Sequence, residues 1–443
     1  MKIAILGYGV EGKSAERFFK RLGCRTPKCE IEIRDVKRQG NDYLKNLDKF
    51  DMIVRSPGVS YLSPEIQKAK RAGIIITSTT KLFFENARSM IVGITGTKGK
   101  GTTATLLYQI LKAAGKNVFL AGNIGRPMLD ILPRLQRNSI VILELSSFQL
   151  QDLDKSPDIA VVLDISPDHL NYHKSFKEYL NAKTRLVSNL LPRHQIFQDT
   201  RIFLLKNRSA RTSRAAQGLE KFVSSSIDKT FTTVFFFLDN KYSKQIAQQS
   251  HGKKIGVVAD PNLILKLPGQ HNLKNASMAV AVGRTLGVPE KIIRQTIKNF
   301  KGLPHRLEFV RKINGVRYYN DSASTNPAAT VAALKSFVQP KILIAGGQGK
   351  NLNYKPLGAA IKKSNVKLVI LFGKNKREIK KATASFHGTV LVRDLKSAAN
   401  LACKKAVNGD VVLFSPASAS FDMFGGYTER GRIFKKLITA LSA

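Results

Sequence analysis

The stretch IVGITGTKGKGTT, Ile91 to Thr103, decides the fold. Its first half is apolar and β-branched and predicts a buried strand. It then breaks into a turn that holds Gly96, Gly99 and Gly101 with Lys98 and Lys100, and the run ATLLYQILKAAG that follows has helical character. Strand, glycine turn and helix start make a cradle for phosphate. Glycines let backbone N–H groups turn inward, the helix start carries positive potential, and a lysine supplies a movable charge. Lys100, nearest the helix start, is the expected lysine. The general phosphate-loop pattern places a glycine at position 94 and a hydroxyl residue at 101. Here those positions are Ile94 and Gly101, and the hydroxyls come at Thr102 and Thr103. The loop implies a nucleoside triphosphate ligand; the bland alternative is a plain strand-to-helix turn.

Outward from this loop, the N-terminal side repeats a β-α-β pattern. KIAIL precedes Gly7, Gly9 and Gly12 in a G-x-G-x-x-G turn, IEIRD ends at Asp35, MIVRSPGVS turns at Pro57-Gly58, and GIIITS follows another helix. A parallel sheet with right-handed crossovers is expected over residues 1–88. The glycine turn with Asp35 would suit a dinucleotide. A hydride-transfer enzyme has no evident use for a second phosphate loop, so a diphosphate other than NAD is favoured. The alternative is glycines needed only for tight helix–strand packing. On the C-terminal side SIVILEL and IAVVLDI continue a central segment, 89–302, in which 193–260 is poorly patterned apart from TTVFFFL. A last segment, 303–443, alternates KILIAGG, VKLVILFG and VVLFSP with helices. The fold class expected is α/β with three domains: a Rossmann-like N-terminal domain, a central P-loop ATPase-like domain with a mostly parallel sheet, and a C-terminal Rossmann-like α/β domain.

At 443 residues the chain is long for one core. It has no run of about 18 apolar residues, so no membrane span is expected, and MKIAILGYGV reads as a first strand rather than a signal peptide. Cys24, Cys29 and Cys403 are too few for a disulfide framework or a zinc site and fit a reducing cytoplasm. Cys24 and Cys29 make at most a metal half-site without a second pair. Net charge is +42, from 73 basic and 31 acidic residues. The lysines are spread along the whole length without a basic arm or an aromatic-interleaved stripe. A solvated surface is therefore favoured over a nucleic-acid face, and anionic substrates gain an attraction that salt weakens. A monomer is expected.

Glu144, in ELSSFQL, ends a buried strand at the carboxyl edge of the sheet, where a carboxylate can hold Mg²⁺ against nucleotide phosphates. His169, in DISPDHLNYH, also follows a strand end beside Asp168, and a neutral imidazole suits a second divalent ion. Lys183, in KEYLNAKTRLV, reads by composition alone as a solvated helical lysine. Arg306, in PHRLE, and Asp321, in YYNDSASTNP, can bracket a nucleotide through planar guanidinium hydrogen bonds and acceptance from ribose hydroxyls. Gly346, Gly347, Gly349 and Lys350 form another glycine turn, and SPASASFDMF from Ser415 a further polar one. Both follow expected strands at the end where α/β ligand sites occur.

In this order GTKGKGTT, GNIG at Gly122–Gly125, ELSSFQL, DHL…NAK, GQHNLKNA, PHRLE, NDSASTN, GGQGK and SPASASFDMF…ERG resemble the Mur ligase family over nearly the whole chain. The resemblance implies a cytoplasmic ATP-dependent ligase that adds D-glutamate to UDP-N-acetylmuramoyl-L-alanine through an acyl phosphate, releasing ADP and phosphate, in peptidoglycan precursor synthesis. By matched motif it places ATP on Gly96, Thr97, Lys98, Gly99, Lys100, Gly101, Thr102 and Thr103, together with Asn272, Asn275, Arg306 and Asp321. Glu144 and His169 would each hold a Mg²⁺, with Thr102 near the ion. Lys183 falls where the family has a lysine that CO₂ converts to a carbamate, an anionic partner for the second Mg²⁺. Lys100, Glu144, His169 and Lys183 are thus the implied catalytic set. Gly12, Asp35, Ser56 and Gly58 would hold the uridine diphosphate end, and Asn123, Ser146 and Gln149 the muramoyl–alanine part. Thr325, Lys350, Ser420, Phe421 and Tyr427 would line the D-glutamate pocket.

Two positions depart from the family pattern. Gly101 stands where a hydroxyl residue is usual, and GKGT resembles the related folylpolyglutamate synthases. Ala323 stands where many relatives have lysine, which removes a cation expected near the amino-acid carboxylates. The alternatives are another Mur-type or folylpolyglutamate-type ligase, or a catalytically lapsed relative that binds nucleic acid or serves as a scaffold. The net charge, Gly101 and Ala323 speak for the lapsed relative, and the presence of Lys100, Glu144, His169 and Lys183 speaks against it.

Overall fold

A computed structural model describes residues 1–24, 29–170, 172–188, 232–349 and 352–441. Lys350 and most of the poorly patterned 193–260 stretch lie outside the described residues. The chain forms two compact units, Met1–Asp260 with Lys274–Ile293, and Pro261–Leu273 with Arg294–Ala443.

The first unit holds two sheets. Strands β1 (Lys2–Leu6), β2 (Glu30–Arg34), β3 (Met52–Arg55) and β4 (Ile75–Ser78) pair in parallel in the order β2-β1-β3-β4. Helices α1 (Val10–Arg21), α2 (Val36–Gln39), α3 (Pro64–Arg71) and α4 (Thr79–Asn86) connect or follow them. The order reverses between β1 and β3, so the turns after these strands open a crevice at their carboxyl ends. Gly12 lies where α1 crosses β1: an added Cβ would stand 2.1 Å from the Gly7 carbonyl oxygen. Its missing side chain is what lets the helix settle on the strand.

The second sheet has six parallel strands, β5 (Met90–Thr95), β6 (Val118–Gly122), β7 (Ile140–Glu144), β8 (Ile159–Val162), β9 (Thr233–Phe237) and β10 (Lys254–Val257), in the order β10-β9-β8-β5-β7-β6. Helices α5 (Lys100–Ala113), α6 (Met128–Ile131), α7 (Ser147–Leu150) and α8 (Phe176–Thr184) accompany it. Strand β7 is buried along its length, as expected of a parallel strand covered on both faces. The register sets Ile94 beside Glu144. The glycine turn after β5 and the ELSS turn after β7 therefore leave the sheet side by side.

One apolar core runs through both sheets, from Ile5, Phe19 and Phe83 to Leu129, Leu143 and Leu150. Two ion pairs join the sheets as well. Arg55 meets Asp152 at 2.8 Å with both side chains buried, and Arg17 meets Asp130 at 2.6 Å near the surface.

The second unit carries strands β11 (Glu308–Ile313), β12 (Val316–Asn320), β13 (Lys341–Gly346), β14 (Val366–Phe372), β15 (Thr389–Leu391) and β16 (Val411–Phe414), ordered β11-β12-β16-β13-β14-β15. The expected alternation of strand and helix holds from β13 onward, but the unit opens with an antiparallel hairpin, β11–β12. Asn314 and Gly315, with φ 46° and 79°, close it. Asn-Gly is the pair that tolerates positive φ twice, as a two-residue hairpin requires.

The cysteine reading needs correction. Cys24 and Cys29 are joined by a disulfide, S–S 2.05 Å, between the end of α1 and the start of β2. Their Cα atoms stand 4.9 Å apart, within bridging range. Cys403 is a free thiol.

Candidate functional site

The phosphate loop takes its shape from two glycines. Gly99, the N-cap of α5, has φ 84°, and a Cβ there would lie 2.2 Å from Asn275 Oδ1. At Gly96 a Cβ would come within 2.7 Å of Leu163 Cβ. Lys98 is exposed at the turn, Gly101 and Thr102 are partly buried on the first turn of α5, and Thr103 is buried. Lys100 folds back over the loop, its Nζ donating to the carbonyls of Gly96 (3.0 Å) and Thr97 (3.1 Å). The Thr97 hydroxyl donates to Ser166 O at 3.0 Å and sits 2.8 Å from the Tyr179 hydroxyl, tying the loop to the segment after β8 and to α8.

Lys183 overturns the solvated reading. It is 1% exposed, and its Nζ donates to the Gly96 carbonyl at 2.9 Å and lies 3.3 Å from Thr95 Oγ1. Burial drives its pKa well below the ordinary lysine value; Lys100 lowers it further, while Asp168 and Glu144 pull the other way. A lysine in the last turn of α8 thus points under the phosphate loop. The spacing carries a signal for this, because Phe176, Tyr179, Leu180 and Lys183 fall at i, i+3, i+4 and i+7, on one face of α8.

Glu144 is 4% exposed. One carboxylate oxygen accepts from Asn123 Nδ2 at 3.0 Å, and the other is buried with no partner among the described residues. His169 has φ 54° and lies edge-on to Phe148, ring centroids 4.9 Å apart. Burial lowers its pKa, against the pull of Asp168. A neutral ring is therefore the dominant form near pH 7, as a metal ligand requires. The unpartnered carboxylate oxygen and the neutral imidazole are the donor types a divalent cation takes. Among the described residues no three His, Cys, Asp or Glu side chains gather into a self-sufficient cation site. A cation here would draw its remaining ligands from hydroxyls and from phosphate oxygens.

A cavity of 570 Å³ opens at the carboxyl ends of β1 and β3. It brings together Asp35, Ser56, Gly58, Asn123, Ser146 and Gln149, all named from the sequence, and Phe148, which was not. Gly12 is not among its lining residues. Asp35 accepts from the backbone N–H groups of Tyr8 (2.6 Å) and Lys37 (2.9 Å), which hold its carboxyl below the usual range. Ser56 donates to Gly7 O at 2.7 Å. Ser146 and Gln149 close a capping box on α7, which fixes the turn directly after Glu144.

In the second unit Arg306 is exposed, between His305 and Leu307 in left-handed conformations with φ 65° and 44°. Asp321 is 5% exposed and already engaged: its Oδ2 accepts from Ser324 Oγ (2.5 Å) and Ser415 Oγ (2.7 Å), and its Oδ1 from Leu307 N (3.2 Å). Burial pushes its pKa up to about 6. Asn272 donates to Pro268 O at 2.7 Å. Thr325 is partly buried, Ser420 buried, and Phe421 and Tyr427 exposed. Lys350 lies outside the described residues.

Arg430, whose ERG motif carried no assigned role, is fully buried. It donates to Ser322 Oγ (3.0 Å), Ser322 O (2.8 Å), Ser418 O (3.0 Å) and Ala419 O (3.1 Å), pinning the NDSAS turn to the SPASAS turn. Lys274 is another residue the sequence left unmarked; it bridges Asp164 (2.8 Å) and Asp239 (3.0 Å) beside the phosphate loop.

Residues 94–283 match the Mur ligase middle domain, and residues 305–418 match the Mur ligase, glutamate ligase domain. The UDP-N-acetylmuramoylalanine--D-glutamate ligase of Acetivibrio thermocellus is 35% identical over 100% of this chain and 97% of its own length. Proteins of the same name from Clostridium kluyveri (35% identical, 99% of this chain, 96% of theirs) and Symbiobacterium thermophilum (34%, 100% and 98%) are similar to the same extent. Among solved structures, UDP-N-acetylmuramate-alanine ligase MurC from Thermotoga maritima aligns with a TM-score of 0.55 at 16% identity over 99% of both chains. MurF ligase from Thermotoga maritima in complex with ADP gives 0.56 at 18% over 88% of this chain and 90% of its own. The folylpolyglutamate synthase of that organism gives 0.54 at 14% over 82% and 93%. At these identities the likeness is one of fold alone.

Proposed function

The chain belongs to the Mur ligase family, and on that premise we propose that it is an ATP-dependent ligase that joins D-glutamate to UDP-N-acetylmuramoyl-L-alanine in the synthesis of peptidoglycan precursors. Relatives that carry this activity in their names run the full length of the chain. The observation that carries the reading is the convergence of Lys100 and Lys183 on one loop carbonyl, beside a buried Glu144 with an oxygen unpartnered among the described residues.

In the first step the alanine carboxylate attacks the γ-phosphorus of ATP in line. The bond to the bridging oxygen breaks, ADP leaves, and an acyl phosphate remains. The D-glutamate amine then attacks the acyl carbon, loses a proton, and phosphate departs. Two anions must meet in the first step, so the work of the protein is alignment and charge compensation rather than covalent chemistry. Lys100 and the N–H groups at the start of α5 hold the polyphosphate, with Gly96 to Thr103, Asn272, Asn275, Arg306 and Asp321 as the ATP site. Asp321 acts there mainly through the turn it braces. Glu144, His169 and Thr102, with a carbamate on Lys183, would hold two Mg²⁺ ions, whose positive charge offsets that of the phosphates.

Carbamate formation needs an unprotonated amine: nitrogen attacks CO₂, and one proton is released. The burial that lowers the Lys183 pKa favours that form. The cavity at Asp35, Ser56 and Gly58 takes the uridine diphosphate end, and its Asn123, Ser146 and Gln149 wall faces the muramoyl–alanine part. Thr325, Lys350, Ser420, Phe421 and Tyr427 form the D-glutamate pocket. The working division is 1–88 for the nucleotide-linked substrate, 89–302 for ATP and 303–443 for the amino acid, in a monomer acting in the cytoplasm. No helix among the described residues is long and apolar enough to cross a membrane.

The test is purified chain with ATP, Mg²⁺, UDP-N-acetylmuramoyl-L-alanine and a panel of amino acids, read by phosphate release. D-glutamate is the expected acceptor. Preference for another amino acid or for a folate substrate would move the chain to another branch. Absence of turnover together with steeply salt-dependent DNA or RNA binding would identify a lapsed relative.

A further inference from the structure

Beside the phosphate loop three side chains form a relay that none of the roles above uses. His173 is 2% exposed, and both its ring nitrogens are engaged: Nε2 lies 2.8 Å from Ser147 Oγ, and Nδ1 is bonded to Glu178 Oε2. An ionised carboxylate only accepts, so Nδ1 donates to Glu178, and in the neutral ring Nε2 accepts the Ser147 hydroxyl proton. Serine, histidine and glutamate in this order form nucleophilic triads in some hydrolases. Here Ser147 is itself 2% exposed, so no substrate carbonyl can reach it.

What the relay does is connect. Ser147 opens α7, three residues after Glu144. Glu178 lies in the first turn of α8, the helix that carries Lys183 in its last turn. The other Glu178 oxygen accepts from Gln151 Nε2 at 3.0 Å, and Gln151 Oε1 accepts from the Tyr172 hydroxyl at 3.0 Å. Phe148 stacks on the His173 ring, centroids 5.5 Å apart, and also touches His169. Glu144, His169 and Lys183 arrive on three adjoining segments; His173 shares that of His169 and bonds to Ser147 beside Glu144 and to Glu178 on the helix of Lys183.

We propose that His173 is a positioning residue for the ligase reaction, a cross-brace that holds α8, and with it Lys183, in register with the Glu144 turn. The proposal rests on the ligase reading above. Loss of a group that orients the ligands of a cation costs on the order of 10- to 100-fold in metal affinity or activity. Glu178→Ala removes the carboxylate on a partly exposed position where the helix accepts alanine. His173→Gln keeps an amide near Nε2 and gives up the bond to Glu178. Both are compared with wild type for kcat, half-saturating Mg²⁺, KM for the UDP-linked substrate, thermal midpoint and the ¹³C NMR carbamate signal in ¹³C-bicarbonate.

The expected result is a kcat about tenfold lower or worse, a higher half-saturating Mg²⁺, a weaker carbamate signal and an unchanged KM for the UDP-linked substrate. A lower thermal midpoint with kcat, Mg²⁺ dependence and carbamate signal all at wild-type values would reduce the relay to a structural brace and overturn the proposal. So would Glu178→Ala that is wild-type in every measure. If wild type itself fails to turn over D-glutamate, the ligase reading falls, and the proposal with it.

Discussion

Gly99→Ala tests the geometry of the phosphate loop with a single methyl group. Gly99 sits at φ 84°, a conformation that costs an L-residue roughly 1–2 kcal/mol. The new Cβ would stand 2.2 Å from Asn275 Oδ1, far inside contact distance, and Asn275 is only 6% exposed, so its side chain has little room to retreat. Overpacking of this kind adds roughly 1–3 kcal/mol. The sum is about 2–5 kcal/mol. The loop can shed it by leaving the conformation that cradles phosphate, and the loss then appears in nucleotide affinity. At about 1.4 kcal/mol per factor of ten, the ATP dissociation constant should rise about thirtyfold or more. Isothermal titration of Mg·ATP into folded variant and wild type measures this. In a cycle with Asn275→Ala, the contact part of the penalty should vanish and the backbone part should remain. A folded Gly99→Ala protein that binds ATP within about threefold of wild type would refute the argument, because both terms would then be absent.

Lys183→Ala should lose turnover and regain part of it with added short-chain carboxylic acids, read by phosphate release; a folded variant without rescue argues against the carbamate. Lys100→Ala should lower kcat by roughly a hundredfold or more, in line with other electrostatic stabilisers; near-normal turnover would remove Lys100 from the site. Arg55→Ala leaves Asp152 buried without its cation and should destabilise the protein by about 3–5 kcal/mol in denaturant unfolding, while the double change Arg55→Met with Asp152→Leu should cost less than either single change. Asp321, raised to about 6 by burial, binds its proton more tightly folded than unfolded. Its contribution is therefore full below the unfolded carboxylate range and lost as pH rises through about 6. Thermal midpoints from pH 4 to 7 should fall for wild type relative to Asp321→Asn, and parallel curves would contradict the shift.

The phosphate loop was legible because its chemistry is local: strand, glycines, lysine and helix start lie within a dozen residues and need no tertiary information. Glu144 was legible because strand ends in parallel sheets face one edge. Lys183 was half legible: its spacing from Tyr179 and Leu180 puts it on the apolar face of α8, but the groups it meets there are set by packing. His173, Arg430 and Lys274 share that difficulty, for each is defined by partners far away in the chain. The Cys24–Cys29 bridge was not legible because the spacing of two cysteines does not show that their Cα atoms stand within bridging range. The β11–β12 hairpin is a different case, since Asn314-Gly315 carries its signal locally in the sequence. Gly12 belongs to a glycine motif readable as either ligand contact or packing, and the close approach of α1 to β1 gives it a packing task.

One peptide unit has a larger reach than its size suggests. The Gly96 oxygen receives both amines, Lys100 from the following helix and Lys183 from α8. An oxygen with two lone pairs is then saturated, and the two side chains share a single fulcrum. Rotating that one plane would unseat both at once. Loss of either lysine leaves that oxygen with one of these two donors, while the remaining amine keeps its other contact, Lys100 to Thr97 O or Lys183 to Thr95 Oγ1.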